Sequence, residues 1–258
     1  MNKVSIIIPL LNQRDEWLEQ CILSAVKQTV RLEVVVITTK NFTKESNIAT
    51  IRKIRANFNN LKVLESEIGF AKTINKGIRE SFSERIGLLL SDDWLELDAV
   101  EECLKYDADI VCTSAMEYAD DGTTKFLYLS PIKTHKAFSE KTTLQEKASY
   151  LEHFFLFKRE KLLEVGLLDE NIGDCAVDDF DLIWTLLEHN AQVHLVEKYL
   201  YNLRDHDGER LTMRSKDEMT STVGRILEKH GITGKEKKDL IAKKSVWFGK
   251  PEHIVRPK

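Results

Sequence analysis

The sequence predicts an α/β domain: a mostly parallel central sheet with flanking helices, a small hairpin region and helices toward the C-terminal end. Three observations carry this. Short β-branched runs alternate with amphipathic helical stretches through roughly the first 115 residues. The strand-like runs are almost wholly apolar, as strands covered on both faces are. One of them, Ile86-Gly87-Leu88-Leu89-Leu90, ends abruptly in Ser91-Asp92-Asp93-Trp94, which puts acid where a buried strand meets solvent.

In chain order, strands are expected at Val4 to Ile8, Leu32 to Ile37, Leu61 to Leu64, Ile86 to Leu90 and Asp109 to Thr113. Between them the apolar spacing predicts helices near Asp15 to Gln28, Lys44 to Phe58, Ala71 to Phe82 and Leu97 to Tyr106. Asp121-Gly122, flanked by Ser114 to Ala119 and Thr123 to Leu129, reads as a hairpin turn, because Gly accepts the positive φ such turns require. Ser130 to Ser149 is polar and without a clear period, and is expected to be a loop or mobile flap. Asp178-Asp179-Phe180-Asp181 leads into the apolar pattern Leu182-Ile183-Trp184-Leu186-Leu187, a helix with an acidic first turn. Lys216 to His230 and Lys235 to Lys244 read as charged helices packed on the outside. Neither an internal repeat nor a low-complexity linker interrupts the chain.

Bulk properties exclude several classes. The 258 residues are 42% hydrophobic, enough for a sizeable core. With 38 basic and 42 acidic side chains the formal net charge is -4, which argues against binding nucleic acid through an overall basic field. The apolar run Val4 to Leu11 is broken by Pro9 and followed by polar and charged residues, unlike a signal peptide. No apolar stretch approaches the roughly 20 residues that span a bilayer. Cys21, Cys103, Cys112 and Cys175 lack paired metal-ligand spacing, and the first three sit in apolar segments where a buried, reduced thiol is the usual outcome. A cytoplasmic setting fits this usage.

The two acidic clusters carry the chemistry. In an open α/β sheet, ligands bind beyond the carboxyl ends of the strands, so Asp92 and Asp93 are placed to hold a divalent metal against a phosphorylated ligand. Capping of the following helix by Asp92 or Asp93 is the structural alternative. For Asp178 and Asp179 the alternative is again a helix cap with a solvated acidic face.

Taken together, these segments resemble family 2 glycosyltransferases with the GT-A fold, over roughly Lys3 to Arg210. Val4-Ser5-Ile6-Ile7-Ile8-Pro9 with Asn12 is similar to that family's opening strand and turn, and Gly69, Ala71, Asn75 and Gly77 to its glycine-alanine-asparagine-glycine helix. Leu90-Ser91-Asp92-Asp93 falls at its D-x-D position. Phe157-Lys158-Arg159 through Val165-Gly166-Leu167-Leu168-Asp169-Glu170 resembles the element before the acceptor site, and Asp178-Asp179-Phe180-Asp181-Leu182 its E-D-x-D-L motif. The resemblance implies a glycosyltransferase domain over residues 1–210, with a nucleotide-binding half at 1–115 and an acceptor half at 116–210. A C-terminal helical appendage then covers 211–258.

It also implies a function: inverting transfer of a sugar from a nucleoside diphosphate sugar to the hydroxyl of a glycan, lipid-linked or other acceptor, assisted by Mn²⁺ or Mg²⁺. Asp92 is the candidate metal ligand. Asp179 is the candidate general base, with Asp178 as its neighbouring alternative. Pro9, Asn12, Thr38, Asn75, Ser91, Asp92 and Asp93 are the expected donor contacts. His206 is a candidate to reach the metal or a phosphate, with a solvated surface position as the alternative. Arg204 and Arg210 are candidates to neutralise diphosphate, and Asp181 to cap or orient.

Three departures fall on the nucleotide half. Where the family ends its second strand in aspartate, this chain reads Ile37-Thr38-Thr39-Lys40. Leu90 replaces the first acid of D-x-D, and Ile74 replaces an arginine before the helix asparagine. They leave a second reading open, a catalytically silent GT-A domain that binds carbohydrate or a partner protein.

Overall fold

The computed structural model describes residues 3–125, 131–172, 178–206 and 216–242. The first half winds β1 (Val4–Leu10), α1 (Asp15–Val26), β2 (Glu33–Thr39), α2 (Glu45–Arg55), β3 (Leu61–Ser66), α3 (Phe70–Glu80) and β4 (Arg85–Leu88). β5 (Trp94–Leu95), α4 (Ala99–Cys103) and β6 (Ile110–Tyr118) follow, then α5 (His135–Ser139), α6 (Leu144–Tyr150), β7 (Glu152–Lys158) and α7 (Arg159–Glu164). The chain continues through α8 (Asp178–Glu188), β8 (Val193–Arg204), α9 (Lys216–Lys229) and α10 (Gly234–Ala242).

One eight-stranded sheet, in the order β3-β2-β1-β4-β7-β6-β8-β5, organises these elements. β3, β2, β1 and β4 run parallel, as the expected α/β pattern requires. β7 inserts antiparallel between β4 and β6, and β8 runs parallel to β6. Every residue of β1 is buried, because successive side chains serve opposite cores. Ile6, Ile8 and Leu10 pack with Leu18, Ile22, Ile54 and Val100 on one face. Ile7 packs on the other with Ile74 and Ile78 of α3 and with residues of α8. A Cβ at Gly77 would stand 2.6 Å from Ile37 Cδ1, so α3 can lie this close to the sheet only with glycine there.

The structure corrects several boundaries. β4 stops at Leu88, although the Leu89 N–H still reaches Ile7 O at 3.0 Å. The helix expected over Leu97 to Tyr106 is only Ala99–Cys103. The expected strand from Asp109 and the first hairpin arm are one continuous β6, whose turn closes through Ala119 N–H to Thr124 O at 2.8 Å. The return arm of the hairpin is described only as far as Lys125.

The expected flap at Ser130 to Ser149 holds two helices in its described part, 131–149. Thr134 caps α5, and at α6 Thr143 and Glu146 form a reciprocal capping box. Ala148 enters the core against α8. α9 does the same: Val223, Ile226 and Leu227 are fully buried in the cluster that holds Trp184 and Ile183, so this helix shares the domain's core. Cys21, Cys103 and Cys112 are free and buried, as expected, and burial pushes the Cys103 thiol up to about 12. Cys175 and Arg210 lie outside the described residues. Among the described residues no helix is long and apolar enough to cross a membrane.

Candidate active site

Beyond β4 the chain turns through Leu90 to Asp93, closed by the Asp93 N–H to Leu90 O at 3.1 Å. This turn presents two adjacent carboxylates to different surroundings. Asp93 points inward, where it is 3% exposed. Its Oδ2 accepts from the Tyr201 hydroxyl at 2.6 Å and its Oδ1 from the Arg204 N–H at 2.8 Å. Burial, then the Asp93 charge, pushes the Tyr201 phenol well above its ordinary value, so it stays a donor. Asp92 points the other way, and its Oδ2 stands 3.1 Å from His206 Nε2.

His206 is buried, not a solvated surface histidine. Its ring rests against Trp17, with centroids 4.5 Å apart. Arg204 underpins the same region. Its guanidinium lies between Trp17 and Trp94, 4.9 and 4.8 Å from the two rings. Its N–H groups donate to Asp92 O, Asp120 O and Gln20 Oε1. Three of its five donors are thus spent on protein, and Arg204 braces the Asp92 turn and the hairpin.

Divalent metal is what the fold family implies at Asp92, and the donor set fits one. Asp92 Oδ2 and His206 Nε2 lie within hydrogen-bond distance of each other, and an oxygen and a nitrogen so placed would hold a divalent cation between them. Among the described residues no third histidine, cysteine or acid completes a cluster.

In the second acidic cluster, Asp178 and Asp179 open α8, but only Asp179 reaches solvent. Asp178 is 3% exposed, whereas the Asp179 side chain is 38% exposed. Asp179 Oδ1 accepts from the Phe180 N–H at 2.9 Å. Its Oδ2 stands 3.6 Å from Nε2 of His153, at the start of β7. Burial lowers the His153 pKa, against the opposing pull of Asp179 and Asp92, so its ring lies within electrostatic reach of both acidic clusters. Asp181 is turned into the protein, where Lys229 Nζ at 2.7 Å and His230 Nε2 at 3.0 Å tie α8 to the end of α9.

Four residues expected to contact a donor are turned inward instead. Besides Asp93, Asn75 uses its amide to donate to Leu168 O and Glu170 Oε1 and to accept from Leu168 N–H, stapling α3 to the chain after α7. Thr38 donates its hydroxyl to Leu64 O at 3.1 Å, and Pro9 is buried in the ladder opposite Ile37. Thr39 likewise donates to Leu10 O. Asn12 is exposed, but its Oδ1 accepts from Lys44 N–H and fastens the turn after β1 to the start of α2. Ser91 stays half-buried beside Asp92. At the rim after β1, β2 and β3, three large apolar side chains, Leu11, Phe42 and Ile68, are each about half exposed among polar neighbours such as Lys40 and Glu67.

His153 and Tyr201 are the contributors that sequence reading overlooked. His153 left one signal, a titratable ring directly before the apolar run Phe154 to Phe157.

A sheet of this order, with acidic groups beyond β4 and at the start of α8, defines the GT-A class of folds. The family model for glycosyl transferase family 2 matches residues 5–166, and the chain belongs to that family. It is 28% identical over 240 residues to a hyaluronan synthase of Pasteurella multocida, covering 89% of this chain and 24% of that protein. A chondroitin synthase of Pasteurella multocida (strain Pm70) is 28% identical over 220 residues, covering 83% of this chain and 22% of that one. The chain thus spans only about a quarter of the length of these two relatives. Among solved structures, S. aureus TarS 1–349 in complex with UDP-GlcNAc superposes with a TM-score of 0.64 at 18% identity, covering 93% of this chain and 71% of that one. Mannosyltransferase PcManGT from Pyrobaculum calidifontis, in complex with GDP-Man and Mn²⁺, gives 0.64 at 16% identity, covering 95% and 69%. At such identities these structures speak for the fold.

Proposed function

We propose that this domain transfers a sugar from a nucleoside diphosphate sugar to an acceptor hydroxyl, with inversion and with metal assistance. The observations that carry this are the Asp92–His206 pair beyond β4 and the half-exposed carboxylate of Asp179 at the start of α8. Asp179 takes the proton of the acceptor hydroxyl as its oxygen bonds to the anomeric carbon, while the bond from that carbon to the diphosphate breaks. The leaving group departs as the nucleoside diphosphate. Asp92 and His206 would hold a divalent cation, which supplies neutralisation of the charge that builds on the diphosphate. The TarS and PcManGT complexes with a nucleotide sugar support this class of donor.

A specific observation also favours the silent-domain reading: Leu90 carries no charge, and Thr38 and Thr39 spend their hydroxyl protons inside the protein. Titration with uridine and guanosine diphosphates, with and without Mn²⁺, separates the two. The transferase reading expects Mn²⁺-dependent binding of at least one. Having lost a charge-assisted contact worth roughly 1.5 to 3 kcal/mol, the two are expected to bind within about tenfold of each other. Absence of nucleotide binding at millimolar concentration, with Mn²⁺ present, would leave the silent reading.

A further inference from the structure

We propose that His153 is a positioning residue for the base, orienting the Asp179 carboxylate through an N–H on Nε2. The inference rests on the reading of Asp179 above and extends it to a residue on another element.

The imidazole is held from two sides. It stacks on the Tyr201 ring, with centroids 5.2 Å apart and planes inclined by 24°, and meets Phe155 edge-on at 5.2 Å. Tyr201 is itself pinned through its hydroxyl to Asp93. The ring therefore has a fixed plane and a fixed direction. Along that direction Nε2 faces Asp179 Oδ2, while Nδ1 is buried and has no hydrogen-bond partner among the described residues. A neutral imidazole carries one N–H. Placing it on Nε2 aims the donor at a carboxylate, whereas placing it on Nδ1 would bury an unpaired donor and set two lone pairs against each other across the gap.

At 3.6 Å the contact is longer than a hydrogen bond. Catalytic contacts are often loose before substrate enters and tighten in the complex, and about half an ångström would close this one. Phe180 N–H already holds Oδ1. With His153 on Oδ2, both oxygens of Asp179 are oriented, the carboxylate plane is set, and the remaining lone pairs are left for the acceptor proton. The groups in contact with His153 come from three elements, Asp179 on α8, Tyr201 on β8 and Phe155 on its own strand, and the Asp92 charge beyond β4 also acts on it.

Two measurements on the full chain test this. In ¹⁵N-histidine spectra, assigned with His153→Gln, the His153 proton is expected on Nε2, and its signals should shift in Asp179→Asn. A proton on Nδ1, or spectra indifferent to Asp179→Asn, overturns the proposal whatever the activity. In turnover of UDP-GlcNAc or GDP-mannose with Mn²⁺, read as nucleotide release, His153→Leu should lower kcat about 10- to 100-fold, the worth of one hydrogen bond to a charged group. The affinity for the matching nucleoside diphosphate with Mn²⁺ should stay within about twofold, because the donor is held elsewhere. His153→Gln, which keeps an N–H at similar reach, should recover most of kcat. Loss of turnover in Asp179→Asn with a normal His153→Leu sinks the positioning role and spares the base. Normal turnover in Asp179→Asn removes the base reading and the positioning role with it.

Discussion

The Tyr201 hydroxyl and the Asp93 carboxylate meet at 2.6 Å across 108 residues of chain, and this bond decides which of two adjacent aspartates faces solvent. With Asp93 gripped by β8, the turn is committed and Asp92 is left against His206. Tyr201→Phe removes the donor and leaves a buried carboxylate under-satisfied, a cost of about 1 to 3 kcal/mol. Urea unfolding should show that loss, together with weaker Mn²⁺-dependent nucleotide binding. An unchanged unfolding midpoint would mean that Asp93 finds another donor.

Asp92→Asn tests the metal side. Hard divalent cations depend on carboxylate charge, so the substitution should remove most Mn²⁺-dependent binding of a nucleoside diphosphate while the unfolding midpoint stays near that of the unmodified protein. Calorimetric titration with and without Mn²⁺ makes the comparison. Equal metal-dependent affinity in a folded Asp92→Asn protein would assign the site to other residues.

For Asp179, binding and chemistry should come apart. Asp179→Asn is expected to lower turnover by about 10² to 10⁴ with donor affinity near normal, since a general base acts on the acceptor. The buried Asp178 should matter to folding more than to chemistry. A turnover loss confined to Asp178→Asn would move the role by one residue.

Glu152 gives the protein a pH dependence of known sign. Burial pushes its carboxyl up to about 7, with Lys133 Nζ, 3.5 Å away, opposing the effect from beyond good hydrogen-bond length. Between the unfolded value of 4.5 and about 7 the folded protein binds more protons than the unfolded chain, so this group makes stability fall as pH rises through that window. The full effect is at most about 3 kcal/mol. Glu152→Gln should flatten the dependence, as read from urea midpoints between about pH 5 and 8. Parallel curves for the two proteins would show that the carboxyl titrates normally.

At the junction of α8 and α9, the His230 ring stacks on Trp184 with centroids 4.2 Å apart and bonds both Asp181 and Glu188. His230→Ala removes one of the two side chains holding the buried Asp181 and opens a cavity beside Trp184. A loss of about 2 to 4 kcal/mol is expected by chemical denaturation. A loss below about 0.5 kcal/mol would show α9 to be loosely attached.

Much of the first half of the chain was legible from residue pattern alone. Strands covered on both faces must be apolar throughout, and their covering helices must repeat their apolar residues near every third and fourth position, so β1 to β4 and α1 to α3 announce themselves locally. The acidic clusters were legible for the same reason: a carboxylate next to a buried run marks where that run ends. α6 was missed as a flap, although Thr143 and Glu146 form a capping box within four residues of sequence. Its polar composition hid it from a reading by hydrophobic period.

The division of labour within the site lies beyond such local patterns. Asp92 and Asp93 are the same residue type side by side, and β8 distinguishes them from more than 100 positions away in the chain. Asn75 and Thr38 carry side chains suited to a ligand, yet each meets a protein partner first, at Leu168 and Leu64. Sequence by itself determined where polar groups must emerge from the core, because burial and period are local properties of the chain. Only the tertiary structure decided which of those groups remain for a ligand, because a polar side chain is spent on whatever partner the fold brings within 3 Å, and that partner comes from a distant segment.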